Sequence, residues 1–101
     1  MMRVITGRAK GIKLYALDGL QTRPTSERAK EGLFSMIQFD IEGRKVLDLY
    51  AGTGQLGIEA LSRGAARAVF VDKSKDASGV IKKNLVKTGL EQSGKVICGD
   101  V

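Results

Sequence analysis

Val46-Leu-Asp-Leu-Tyr-Ala-Gly-Thr-Gly-Gln-Leu-Gly-Ile-Glu-Ala60 is the stretch that decides the fold. A short apolar run, Val46 to Tyr50, ends in a glycine-punctuated turn that passes directly into a helical pattern. Such a strand, turn and helix form a nucleotide-site element, because glycines let backbone N–H groups approach a ligand at the helix start. The spacing Gly52-x-Gly54-x-x-Gly57 also satisfies the dinucleotide fingerprint, so the glycines alone leave NAD open. Asp48 separates the alternatives. It stands four residues before the first glycine, at the mouth of the strand. A pyrophosphate would suffer its charge there, whereas an ammonium or sulfonium would be attracted. At ~4 Å and an effective dielectric of ~20, either interaction amounts to about 4 kcal/mol. S-adenosylmethionine carries the charges that fit.

Downstream, the helix after the turn is expected to bury Leu56, Ala60 and Leu61 and to stop at Gly64, with Arg63 in its last turn. Ala68-Val69-Phe70-Val71 is a continuous apolar run, expected of a strand covered on both faces of a parallel sheet, and Asp72 ends it. Ser74 caps a helix with Ala77, Ile81 and Leu85 on one side and Lys82, Lys83 and Lys87 largely on the other; Gly89 closes it. A last strand, Lys95 to Cys98, runs into Gly99-Asp100-Val101. Upstream, residues 3–6 and 13–17 read as a hairpin with Arg8 and Lys10 near its tip. A loop leads to Pro24, and Thr25 or Ser26 caps a helix at about 26–38 whose apolar face carries Ala29, Leu33, Phe34 and Ile37. Hairpin, helix and then β-α-β-α-β imply an α/β fold: a parallel sheet with right-handed crossovers.

The 101 residues, 43% hydrophobic, suffice for one modest core. Cys98 is the only cysteine and histidine is absent, so neither an intramolecular disulfide nor a structural zinc site is expected. No apolar stretch reads as a membrane span or signal peptide, and a reducing cytoplasm is the expected setting. The net charge of +6 is uneven: residues 1–30 hold +5 of it. A local basic field of this kind suits RNA or DNA, and it equally describes a solubilising surface.

Ligands of open α/β sheets sit beyond the carboxyl ends of the strands, and three successive strands here end in Asp48, Asp72 and Asp100. Asp48 is expected to face the methionyl ammonium. Asp72 offers two oxygens at diol spacing for ribose hydroxyls, a role shared with NAD enzymes. Asp100 is a candidate acceptor for the adenine amine and equally a turn residue. Thr53 and the amides around Gly52 and Gly54 would receive the carboxylate end of the methionine. Gly57 reads as a packing glycine, and Tyr50 as core.

Taken with Thr22-Arg-Pro-Thr25 and Arg28-Ala-Lys-Glu-Gly-Leu-Phe34, the motif at Val46–Gly54 resembles the bacterial 16S ribosomal RNA (guanine-N2)-methyltransferases of the RsmD type. The opening Met2-Arg-Val-Ile-Thr-Gly7 with Lys10-Gly11, Leu61-Ser-Arg-Gly-Ala65, Val69-Phe-Val-Asp72 and Gly99-Asp100 extend the likeness along the whole chain. The resemblance implies a Rossmann-like class I methyltransferase fold, S-adenosylmethionine as donor and ribosomal RNA as acceptor. It implies a cofactor site of Asp48, Ala51, Gly52, Thr53, Gly54, Asp72, Lys73, Asp100, Val101 and Thr25. It also implies an RNA-binding arm carrying Arg3, Arg8, Lys10, Lys13 and Arg23, with residues 1–24 as the arm and 25–101 as a partial Rossmann-like domain.

The family's catalytic motif, Asn- or Asp-Pro-Pro-aromatic after the fourth strand, is absent: the only proline is Pro24. No catalytic residue is therefore expected in this chain, which reads as the amino-terminal portion of a longer enzyme. In this fold the first strand pairs with the fourth, so the edge at 46–50 would be bare and prone to aggregation or domain swapping. The competing readings are a non-catalytic RNA-binding fragment and an NAD-dependent oxidoreductase, the latter opposed by Asp48 and the basic arm.

Overall fold

The computed structural model describes residues 3–16, 41–49 and 51–99. Within them the order is β1 (Lys45–Leu49), α1 (Gln55–Ser62), β2 (Arg67–Asp72), α2 (Lys75–Thr88), a 3-10 turn (Glu91–Ser93) and β3 (Gly94–Cys98). The expected helix at 26–38 with its Thr25 or Ser26 cap, the loop through Pro24, Tyr50 and Asp100-Val101 lie outside the described residues.

The strands are parallel and ordered β1-β2-β3, so β2 is central. Register places Val46, Ala68 and Gly94, then Asp48, Phe70 and Val96, side by side on one face. Both helices lie on that face. A Cβ on Gly57 of α1 would come within 2.4 Å of the Phe70 ring, and one on Gly94 would meet Leu85 of α2 at 2.8 Å. Phe70 is fully enclosed, and Gly57 has no side chain because the ring occupies its place. Leu47, Val69 and Lys95, then Leu49, Val71 and Ile97, form the opposite face. There Val71 is buried and Val69 half-buried, but Leu47, Leu49 and Ile97 are 62%, 41% and 42% exposed. Among the described elements, none lies over these three side chains.

Each helix has a physical start and stop. Ser74 Oγ accepts the Ala77 N–H at 3.2 Å to open α2, and Gly89, at φ 73°, closes it. Ala77, Ile81 and Leu85 are its buried side. α1 buries Ala60 and Leu61 as expected, with Ile58 enclosed as well, while Leu56 is half-buried against the same core. Its polar Gln55, Glu59 and Ser62 are buried as well. The cause is a third layer, because the amino-terminal segment covers the side of α1 turned away from the sheet.

That segment reverses direction as a hairpin does, with Val4 N–H bonded to Ile12 O at 3.0 Å and Gly11 N–H to Val4 O at 2.8 Å. It makes a single antiparallel bridge, Arg3↔Lys13, rather than a ladder over 3–6 and 13–17. Its N–H groups go to helix partners instead. Ile5 and Thr6 donate to the Glu59 carboxylate at 2.9 and 3.2 Å, Ala9 to Ser62 Oγ at 2.9 Å, and Arg8 to Ser62 O at 2.8 Å. Arg63 Nε completes the Glu59 cluster at 2.9 Å. A buried carboxylate is tolerated only when paired and hydrogen-bonded, and here one guanidinium and two amides supply that.

Candidate functional site

The carboxyl ends of β1 and β2 bring Asp48, Ala51, Gly52, Thr53, Gly54, Asp72 and Lys73 into one neighbourhood. The Ala51 N–H bonds to Val71 O at 3.0 Å, which ties the start of the turn to the neighbouring strand. The Gly52 N–H donates to Asp72 Oδ2 at 3.0 Å, and Asp72 Oδ1 accepts the Ser74 N–H at 2.9 Å. The Gly54 N–H closes a tight turn onto Ala51 O at 2.8 Å. One helical turn on, the Gly57 N–H donates to Asp48 Oδ2 at 3.2 Å.

The Gly52 and Gly54 amides thus find protein acceptors within the turn itself. The reason is local: Asp72 reaches across from β2 to hold the turn, and a turn this tight folds Gly54 back on Ala51. Each Asp72 oxygen accepts one backbone N–H, and a carboxylate has about four acceptor positions in all. Further acceptor positions on the Asp72 carboxylate therefore remain.

Asp48 sits at the amino-terminal end of α1, whose first turn contains no acidic residue, so its charge complements the helix dipole from outside the helix. Burial pushes its carboxyl above the usual range; the Gly57 N–H pulls it down, and the negative charge of Asp72 pushes it up again. A cationic group placed here would favour the charged carboxylate against both upward pressures.

Asn84, absent from the site residues expected above, links this turn to the amino-terminal segment. It is fully buried on α2, and its Nδ2 donates to Thr53 O at 2.9 Å and to Tyr15 O at 3.1 Å. Its Oδ1 accepts the Tyr15 N–H at 2.6 Å. Glu59, Ser62 and Asn84 share one signal that was available: a polar residue inside the apolar stripe of a helix.

Of the expected RNA-contacting residues, Arg3, Arg8, Lys10 and Lys13 are exposed on the amino-terminal segment, with Arg3 opposite Lys13. Arg23, Thr25, Asp100 and Val101 lie outside the described residues. Among the described residues no group of three metal-ligating side chains comes together, and no helix is long and apolar enough to cross a membrane.

The family model described as Conserved hypothetical protein 95 matches residues 2–101. The chain belongs to that family. "Putative rRNA methyltransferase YlbH" of Bacillus subtilis is 46% identical over 99 residues, which cover 98% of this chain and 54% of that protein. Ribosomal RNA small subunit methyltransferase D of Haemophilus influenzae is 40% identical over 94 residues, 91% of this chain and 49% of that one. Among solved structures, "Putative methyltransferase yhhF" of Escherichia coli superposes with a TM-score of 0.83 at 33% identity, over 98% of this chain and 52% of its own. The chain thus spans about half the length of these relatives. Its fold is the Rossmann-like fold of class I methyltransferases, represented by three parallel strands and their helices.

Proposed function

We propose that this chain supplies the cofactor-binding half and the RNA-contacting arm of an S-adenosylmethionine-dependent methyltransferase. Its acceptor is the exocyclic amine of a guanine in 16S ribosomal RNA, free or in a small-subunit assembly particle in the cytoplasm. Residues 1–24 act as the arm and 25–101 as the partial Rossmann-like domain. The relatives named for ribosomal RNA methylation support the substrate class.

The observation that carries the choice of cofactor is where the three glycine amides go. Gly52 and Gly57 donate to the carboxylates of Asp72 and Asp48, and Gly54 donates to a backbone oxygen. A pyrophosphate needs those donors and is repelled by Asp48, whereas Asp72 suits the ribose diol of either cofactor. A ligand with a cationic end and a ribose diol needs the acids. Asp48 would hold the ammonium and Asp72 the diol, with Ala51, Thr53 and Lys73 bordering the site; Thr25, Asp100 and Val101 complete the proposed set. Bound there, the cofactor supplies an activated methyl group. The chain contributes position and electrostatic alignment to a direct transfer, with no covalent intermediate on a protein side chain. Residues 1–101 contain no Asn- or Asp-Pro-Pro-aromatic motif to receive the target amine.

Isothermal titration with S-adenosylhomocysteine and with NAD separates the readings. Heat from the first and none from the second is expected; the reverse overturns the assignment. For the arm, the logarithm of RNA affinity should fall by ~0.7–0.9 per neutralised phosphate for each unit of log salt. Replacing Arg8, Lys10 and Lys13 together should flatten that slope, and an unchanged slope removes the arm from RNA binding.

A further inference from the structure

Tyr15 is the exposed aromatic side chain among the described residues, 49% accessible, and its backbone is pinned at both N–H and C=O by buried Asn84. The Lys87 ammonium lies 4.6 Å from its ring centroid. Beside the ring runs a groove of about 550 Å³, lined by Tyr15 and, from α2, by Lys75, Asp76, Gly79, Val80 and Lys83. Asp76, Val80 and Lys83 recur at helical spacing, so one stripe of α2 forms a wall.

Gly79 is the unexpected member. It lies within a 14-residue helix, where glycine is less favourable than alanine, and an added Cβ would meet nothing within 4 Å. Packing does not ask for glycine here. Its effect is to leave bare backbone on the groove wall, where any side chain would project into the space.

We propose that the groove between Tyr15 and α2 binds an unpaired nucleotide of a single-stranded RNA segment, at a site separate from Arg8, Lys10 and Lys13. The proposal rests on the RNA reading above. Lys87 lies over one face of the Tyr15 ring, and the exposed ring with Lys75 and Lys83 beside it is the combination that single-stranded nucleic acid uses: the base stacks and the phosphates pair with lysines. A duplex has no free base face to offer. Lys75 and Lys83 meet the phosphates, Asp76 is an acceptor for a base amine, and the volume suits a nucleotide-sized ligand.

Fluorescence anisotropy of the full chain with a labelled single-stranded RNA, over a salt series, tests this. Tyr15→Ala should weaken binding about tenfold without changing the salt slope, since it removes stacking but no charge. Lys83→Gln should lower the slope by ~0.7. Gly79→Gln should weaken binding several-fold while its thermal midpoint stays level or rises, because glutamine is the better helix former. Wild-type affinity for the single strand in both Tyr15→Ala and Gly79→Gln overturns the groove, as does a loss confined to duplex RNA. If the unsubstituted chain binds no RNA, the RNA reading itself fails and the groove falls with it.

Discussion

The two faces of the sheet are built from similar residues and have opposite fates. Phe70, Ala68 and Val46 lie under α1 and α2, whereas Leu47, Leu49 and Ile97 face outward with no described element over them. The difference teaches that an apolar run specifies a strand but not which of its faces will be covered. Coverage comes from the crossovers, and both crossovers described here return on the Phe70 side.

Four experiments break or sharpen this contrast. Phe70→Ala, on the covered face, is expected to cost about 3–5 kcal/mol in chemical denaturation. A loss below about 1 kcal/mol would mean the ring is not central to the core. Glu59→Ala acts one layer out and removes the acceptor shared by Ile5, Thr6 and Arg63, at about 3 kcal/mol. Fast amide exchange at residues 5 and 6, with β2 amides still protected, would report release of the arm; uniform exchange would instead mean a single cooperative unit.

Asp48 gives a pH-dependent test. Its carboxyl is raised by burial, so the fold favours the protonated form. That contribution to stability is complete below the unfolded carboxyl's ordinary range and is lost as pH rises through the raised value. Asp48→Asn should therefore raise the thermal midpoint of the ligand-free chain at pH 7, with the gain shrinking in acid. The same change should weaken S-adenosylhomocysteine about 10- to 100-fold. A variant that melts lower at pH 7 would remove burial as the cause. The smallest effect belongs to the open face: Leu47→Lys with Leu49→Thr should move folding free energy by no more than about 0.5 kcal/mol. Sedimentation should show less self-association in that variant, because charge on an edge strand discourages pairing. If it unfolds the chain, the open face is core and the contrast collapses.

The strands, the α2 caps and the turn were legible because each depends on neighbours in sequence: Ser74 with Ala77, Gly89 with Val86, Val46–Leu49 with the glycines. Gly57 was readable as a packing glycine from its place in the motif, although the Phe70 ring it accommodates comes from β2. The third layer was not legible. Its bonds join residues 53 to 69 positions apart, and a Glu or Asn inside a helix's apolar stripe signals a buried polar group without naming its partner. Without those partners the amino-terminal segment reads as a hairpin, and the burial of Ile58 beside Ala60 and Leu61 goes unread. The direction of the glycine amides was hidden for a related reason, since spacing gives their positions but not the acceptors they find.

Asn84 has nothing in reserve. One side-chain amide serves both residue 15 and residue 53, and it lies where water cannot step in as a substitute. Neither segment can slide by an ångström without stranding a polar atom in the interior. Order at one end is thus lent to the other through three hydrogen bonds, and disorder would be shared on the same terms.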